Sequence, residues 1–290
     1  MYKILPENFH IKKCNQKPFC FLEGPVWDKR RNCLYFSDPL AQTILEMSES
    51  RGFRIIQEQS GYVNGMCLNT KGNLVVCKME TGSLEEVSLE TGKTIRTISA
   101  GFSGRPFNAT NDVIADKNGG YYVTDPFFTF GTNAQAEELT YYVSPDGKTK
   151  PVANDSKKPN GLAFSPDEKW LYIDDTMSTN VWKYKVNSDG SLSDKAIACH
   201  LAVPSNGDEL PEIQQHGEAD GIKVDSAGNI YVTTYSGIQV FDKAGNVMGI
   251  IPMPEGETAA NCAFGGDDLC TLYITARTSL YSVKVLIPGI

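Results

Sequence analysis

Six residues able to offer a hard oxygen donor stand at the heads of six similar segments: Glu23, Asn64, Asn111, Asn160, Asp220 and Asn261. The set holds two carboxylates and four carboxamides, with no thiolate and no imidazole. Brought together, such donors select a hard divalent cation, Ca2+ above all, with Mg2+ or Mn2+ as alternatives and Zn2+ less suited. Two carboxylates held close repel each other unless a cation lies between them, which gives the arrangement a reason. The competing reading is structural, because Asn and Asp also start strands and turns through their own side-chain hydrogen bonds. One such residue decides nothing; six at matched positions favour the cation. Asn64 and Asn261 keep the alternative role of turn formers or water-bridged supports.

The heads open six copies of one unit. Glu23-Gly-Pro-Val-Trp27 leads to Leu34-Tyr-Phe-Ser-Asp38, Asn64-Gly-Met-Cys-Leu68 to Leu74-Val-Val-Cys77, and Asn111-Asp-Val-Ile-Ala115 to Tyr121-Tyr-Val-Thr-Asp125. Asn160-Gly-Leu-Ala-Phe164, Asp220-Gly-Ile-Lys-Val224 and Asn261-Cys-Ala-Phe-Gly265 lead in the same way to strands rich in Tyr, Val and Ile. Short apolar alternation, a polar turn and a second apolar run read as a hairpin. Gly72, Gly119 and Gly228 fall eight residues after their heads, where a hairpin turn demands positive φ. In the other three units the turn is one residue longer, and the Tyr moves from eleven residues after the head to twelve, at Tyr35, Tyr172 and Tyr273. A shared hairpin shifts register with turn length in this way.

The heads are spaced by 41, 47, 49, 60 and 41 residues, the ~40–50-residue period of four-stranded propeller blades. The expected fold is all-β: a single six-bladed β-propeller spanning residues 1–290, with four-stranded antiparallel blades. A β-sandwich would not produce six similar units. Equivalent positions in a propeller circle one axis, so the six heads meet at one end of the central channel. The longest interval contains Pro204–Pro211, read as a surface insertion near the mouth. Only Asn133–Leu139 has the pattern of a short helix. Phe9–Lys13 is expected to supply the outer strand of the last blade and latch the circle.

Of the 290 residues, 41% are hydrophobic and 21% charged, enough for a sizeable core. The net charge is −8, and the basic stretches Lys12-Lys13 and Lys29-Arg30-Arg31 are too short to bind a phosphate backbone, so no nucleic-acid partner is expected. Met1–Cys20 lacks a secretory apolar region, and no apolar run reaches the ~18 residues of a membrane span. The chain is therefore expected to be soluble and cytoplasmic, with no membrane partner and its oligomeric state open. Its eight cysteines form no C-x-x-C pair, against a structural zinc site. Cys67 and Cys77 read as core residues, while the even count leaves disulfides open. G-x-S-x-G and phosphate-cradling glycine motifs are absent, which disfavours serine-esterase, nucleotide and redox chemistry.

The sequence resembles the gluconolactonase and regucalcin-like (senescence marker protein) family of calcium-dependent lactonases over nearly its whole length. The resemblance lies in Glu23-Gly-Pro-Val-Trp27, Asn111-Asp112-Val113, Thr124-Asp125-Pro126, Pro159-Asn160-Gly161 with Ser165-Pro166-Asp167, Asp220-Gly221 with Val224-Asp225, and Ala263-Phe264-Gly265-Gly266, in that order. It implies a divalent metal in the channel held by Glu23, Asn111, Asn160 and Asp220, with Asp220 also the base or nucleophile. Regucalcin-like members carry a substrate-contacting Arg two residues before the metal-site Asn; here that position is Ala109. Arg105, four residues further upstream, does not inherit the role by position. The stretch Asn108-Ala-Thr-Asn-Asp112 looks more like the bacterial gluconolactonase branch.

The implied activity is hydrolysis of a small-molecule sugar lactone, the cation polarising the ring carbonyl and a carboxylate taking the proton of the attacking water. Asp220 is the expected base, as the only Asp among the heads. Coordination lowers a carboxylate's pKa, so Asp112 and Asp174 stand as alternative bases. Candidates for substrate contact are Asn64, Arg105, Asn108, Asn261 and His216, the last either a proton shuttle or a solvated loop residue. Phe127-Phe128-Thr129-Phe130 either walls the mouth or is buried at a blade edge. Asp125, Asp174 and Asp175 read as strand-end residues. Two other classes stay open: another reaction at the same cation, such as phosphotriester or fluorophosphate hydrolysis or a ring rearrangement, and a non-catalytic calcium-binding propeller.

Overall fold

The computed structural model describes residues 4–128, 130–203 and 211–290. Six four-stranded antiparallel sheets form a propeller, five of them each built from one repeated unit. The inner strands are Glu23–Asp28, Val63–Leu68, Val113–Ala115, Pro159–Phe164, Ile222–Val224 and Asn261–Gly265. The N-terminal strand Lys12–Lys13 pairs with Ser279–Lys284, Lys12 opposite Ser282, and so completes the sixth blade. The predicted latch is thereby present, and it ties the two ends of the chain into one sheet.

The hairpin turns explain the shift in repeat register. Gly72, Gly119 and Gly228 take φ of 79°, 85° and 86°. The longer turns reach the left-handed region with Asn32, Glu168 and Leu269, at φ of 48°, 54° and 54°, at roughly 1 kcal/mol each for a residue with a Cβ. The repeated tyrosines Tyr35, Tyr122 and Tyr231 are fully buried between blades. Their hydroxyls are satisfied by Glu46 Oε2 at 3.2 Å, the Gly190 carbonyl at 3.1 Å and Asp225 Oδ2 at 3.3 Å, as a buried phenol requires. Cys67 and Cys77 join the core between blades two and three, and all eight cysteines are free thiols.

The helix expected over Asn133–Leu139 does not form. Asn133 has φ of 48°, Gln135 N donates to Asn108 Oδ1 at 2.8 Å, and Leu139 already opens a strand. A single turn is costly to nucleate, and here a tertiary partner takes its backbone donors. The helix among the described residues is instead Glu212–Gln215, at the end of the longest interval. Pro204–Leu210, most of the expected surface insertion, lie outside the described residues. No helix among the described residues is long and apolar enough to cross a membrane.

Two features draw the heads together. First, hydroxyls at the end of one blade's second strand donate to the next blade's inner strand: Ser37 Oγ to Asn64 O at 2.8 Å, Thr124 Oγ1 to Asn160 O at 2.6 Å, and Thr233 Oγ1 to Ala260 O at 2.6 Å. Second, the residue after a head is often glycine, and neighbouring backbones close onto it. A Cβ on Gly65 would lie 2.4 Å from Asn111 O, and one on Gly221 would lie 2.3 Å from the Asn261 side chain. No side chain fits there, so the inner strands approach more closely than side chains would allow.

Candidate active site and metal centre

In three blades the aim of the head is set by an aspartate at the end of the second strand. Asp38 accepts the N–H groups of Cys20 and Phe21, Asp125 those of Asn108 and Ala109, and Asp175 those of Lys157 and Lys158. Each pair lies three and two residues before its head, Glu23, Asn111 or Asn160. Asp125 and Asp175 are therefore strand-end clamps, as their position suggests. Burial pushes the Asp125 carboxyl up to about 7, against the two N–H groups that lower it. Its folded pKa lies above the ~3.9 of an unfolded aspartate. The stability it contributes is then full below about pH 4 and is lost as pH rises through about 7. We expect stability to fall less steeply between pH 5 and pH 8 in Asp125→Asn than in the wild type, read by urea unfolding at both pH values. Parallel slopes would contradict this.

At the mouth of the channel the heads floor a cavity of about 290 Å³, lined at its base by Glu23, Asn64, Asn111, Asn160 and Asp220. Asn160 and Asp220, 60 residues apart in sequence, are joined by a hydrogen bond of 2.9 Å from Asn160 Nδ2 to Asp220 Oδ1. The same Nδ2 donates to Thr176 Oγ1 at 3.0 Å, while Thr176 donates to Ala219 O at 2.8 Å. This chain fixes the carboxamide: a carboxylate can only accept, and Thr176 has given its proton away, so both must face the amide nitrogen. Asn160 Oδ1 therefore points elsewhere, and it is buried without a partner, as is Asn64 Oδ1. Sequence reading did not single out Thr176.

The carboxylates show the same deficit. Glu23 is pushed well above the usual carboxylate range by burial and then by the charge of Asp220. Asp220 is pushed up to about 7 by burial, with Glu218 adding to the rise and the Asn160 hydrogen bond opposing it. Two acids that resist ionisation beside two orphaned carboxamide oxygens form a set that a hard cation would satisfy. No three His, Cys, Asp or Glu side chains converge into a metal cluster among the described residues. The donors here are carboxylates supplemented by carboxamides, which suits Ca2+ more than Zn2+.

The alternative bases do not line the cavity. Asp174 packs against Gly161, accepting its N–H at 3.0 Å, and burial holds its carboxyl well above the ordinary range. Asp112 accepts the Val113 N–H at 2.9 Å, and its other oxygen lies 3.9 Å from Lys223 Nζ. Lys223, another residue that sequence reading passed over, also donates to Asn261 Oδ1 at 3.3 Å. Asn261 thus stands behind the floor, between the lysine and Glu23, and does not line the cavity.

Three further expected contacts are also placed away from the cavity wall. Asn108 is buried, with Nδ2 donating to Glu137 O at 3.0 Å and Oδ1 bound to Gln135 N. It organises the loop that the sequence had suggested as a helix. Arg105 is exposed in the Phe102–Arg105 turn. His216 ends the short helix, half-buried. The walls are mostly apolar: Phe21, Leu40, Met79, Phe128, Phe130 and Ile213. Phe130 stacks on Tyr62 at 5.0 Å between ring centres, and Lys158 Nζ lies 4.8 Å from the Phe128 ring centre while binding Phe127 O and Glu138. Of the two readings of the aromatic run, Phe128 and Phe130 support the wall, while Phe127 does not line the cavity; Thr129 lies outside the described residues. One side of the wall is charged, with Glu218 and Arg277.

A six-bladed propeller with an oxygen-rich cavity on its axis defines the class. The chain belongs to the SMP-30/Gluconolactonase/LRE-like family, which it matches over residues 21–278. It is similar to the gluconolactonase of Zymomonas mobilis, at 30% identity over 283 residues, covering 90% of this chain and 78% of that one. It is also similar to the 6-deoxy-6-sulfogluconolactonase of Pseudomonas putida, at 26% identity, covering 96% of this chain and 91% of that one. A solved gluconolactonase from Xanthomonas campestris superposes with a TM-score of 0.84 at 26% identity, covering 97% of this chain and 91% of that one.

Proposed function

We propose that the chain is a metal-dependent lactonase that opens a sugar lactone by hydrolysis. The observation that carries this is the floor of the cavity, where Glu23, Asn64, Asn111, Asn160 and Asp220 meet with acidic groups and carboxamide oxygens lacking partners. The similarity to gluconolactonases supplies the substrate class. Glu23, Asn111, Asn160 and Asp220 would hold the cation, with Ca2+ the first choice. Bound there, a divalent cation supplies Lewis-acid polarisation of the ring carbonyl and of the oxygen that gains charge as the ring opens.

The protein's own groups do the rest. Asn160, anchored through Thr176 to the Ala219 carbonyl, holds Asp220 Oδ1 in one orientation. Asp220 faces the cavity, and its carboxylate takes the proton of the attacking water. The apolar wall of Leu40, Met79, Phe128 and Phe130 keeps bulk water from the reacting ring.

The test is a panel of aldonolactones and aryl esters assayed with and without chelator. Opening of at least one aldonolactone is expected, abolished by chelator and restored by added Ca2+. A protein that binds Ca2+ yet turns over nothing on the panel would leave only a calcium-binding propeller.

A further inference from the structure

The loss of an arginine beside Asn111 leaves a question of recognition that the structure answers from another blade. Ala109, which stands where the resembling family places its substrate-contacting Arg, is 2% exposed, and its N–H is held by Asp125 Oδ1 at 3.0 Å. That position is closed to the cavity. The corresponding residue in the fifth blade, two before Asp220, is Glu218, and it does line the cavity. Glu218 Oε1 accepts from Arg277 Nη2 at 3.2 Å, across 59 residues of chain. Arg277 is the basic side chain among the described residues lining the cavity.

The backbone at both residues is unusual. Glu218 has φ of 50° and Arg277 has φ of 49°, a region that costs a residue with a Cβ roughly 1 kcal/mol or more. Arg277 sits in the turn between Thr271–Ala276 and Ser279–Lys284. Its carbonyl accepts the Leu22 N–H at 2.6 Å, which pins the turn to the start of the first blade. The guanidinium lies 5.8 Å from the centre of the Phe21 ring. Yet the side chain is 45% exposed, and of the five N–H donors an arginine carries, one is used among the described residues. The backbone is anchored, and among the described residues most of the donors have no partner.

We propose that Arg277 is the specificity-determining residue of this cavity, its free N–H groups binding the oxygen of a hydroxyl-bearing, uncharged substituent on the lactone ring. Glu218 is the positioning residue that holds it. The inference rests on the lactonase reading and adds to it the wall that reads the substrate. An uncharged substituent follows from charge accounting: with the proposed divalent cation on the floor, Glu23, Glu218 and Asp220 balance that cation and Arg277. Glu218 already answers Arg277, so no surplus positive charge awaits an anion. Elsewhere the wall is mostly apolar, with Asn64 and Thr258 as its further polar side chains outside the proposed cation set and the Thr176 support.

The experiment compares binding of two rings that cannot be hydrolysed, D-glucono-δ-lactam and unsubstituted δ-valerolactam, by ligand-observed NMR titration of the full chain in Ca2+. The wild type should prefer the hydroxylated ring at least tenfold, and Arg277→Met should reduce that preference at least tenfold, the scale of a hydrogen bond to a charged group. Arg277→Lys, with its charge but without the planar fork, should fall between, and it serves if the Met variant does not fold. A preference unchanged in both variants, or an equal loss for both rings, would overturn the proposal. Tighter binding of the 6-phosphorylated lactam than of the neutral one would overturn the uncharged assignment. Wild-type protein that binds neither ring would instead sink the lactonase reading itself.

Discussion

Asp220→Asn is expected to fold as the wild type does and to lose lactone turnover by about three orders of magnitude, within the 10²–10⁴ range of a removed general base. The substitution keeps shape. The amide oxygen of Asn at this position still accepts from Asn160 Nδ2, so the chain through Thr176 to Ala219 O survives. What disappears is the proton acceptor and one of the two negative charges on the floor. With Glu23 and Asp220 raising each other's cost of ionisation, removing one charge does not destabilise the metal-free fold. Circular dichroism and unfolding would thus look normal while turnover collapses. The two roles proposed for Asp220, proton acceptor and cation ligand, separate by titrating the variant with Ca2+. If turnover at saturating Ca2+ returns to within tenfold of wild type, Asp220 is only a ligand and the base lies elsewhere. If it stays low with the cation bound, the base assignment stands.

Removing the cation should destabilise the protein, and more so at neutral than at acid pH. Glu23 and Asp220 both have folded pKa values above those of the unfolded chain, Asp220 at about 7. The folded metal-free protein therefore holds protons that the unfolded chain releases. Stability from Asp220 is full below about pH 4 and is lost as pH rises through about 7, and the raised Glu23 acts in the same direction. Above that, the buried Asp220 charge has only the Asn160 amide to answer it. A bound divalent cation reverses this, so its stabilisation grows with pH. At a Ca2+ concentration about 100 times Kd, linkage gives ~2.7 kcal/mol, or a shift in the thermal midpoint of roughly 5 °C or more for a chain of this size. Scanning calorimetry with and without chelator, at pH 5 and pH 7.5, should show the larger shift at the higher pH. A midpoint indifferent to chelator at both values would remove the cation from the floor.

The same physics shows why parts of the site were legible in advance. A propeller places equivalent residues of successive units on equivalent strands, so period alone told which residues converge. Glu23, Asn64, Asn111, Asn160 and Asp220 do line one cavity. The aspartate clamps were legible in principle: Asp38, Asp125 and Asp175 end matched second strands, and aligning those ends would have shown that they act on matched donors. The substrate contacts were less legible. Asn108 has the right chemistry and proximity in sequence, but its carboxamide is consumed by Gln135 and Glu137. Arg105 and His216 are placed away from the cavity by turns whose direction no local pattern encodes. Glu218 and Arg277 carry no motif at all; their pairing exists because the turns of blades five and six face each other at the rim.

By itself the sequence determined the fold, the number of blades, the latch and five of the polar residues at the channel mouth, because strand alternation and repeat length are local properties that add up around a closed ring. Only the tertiary structure decided which donors are spent on the backbone and which are left for a ligand. Asn261 is turned to Lys223, Asp112 and Asp174 are set behind the wall, and Asn160 and Asn64 are left with free oxygens. That division depends on side chains from different blades competing for the same hydrogen-bonding groups, and such competition is settled by packing across the axis.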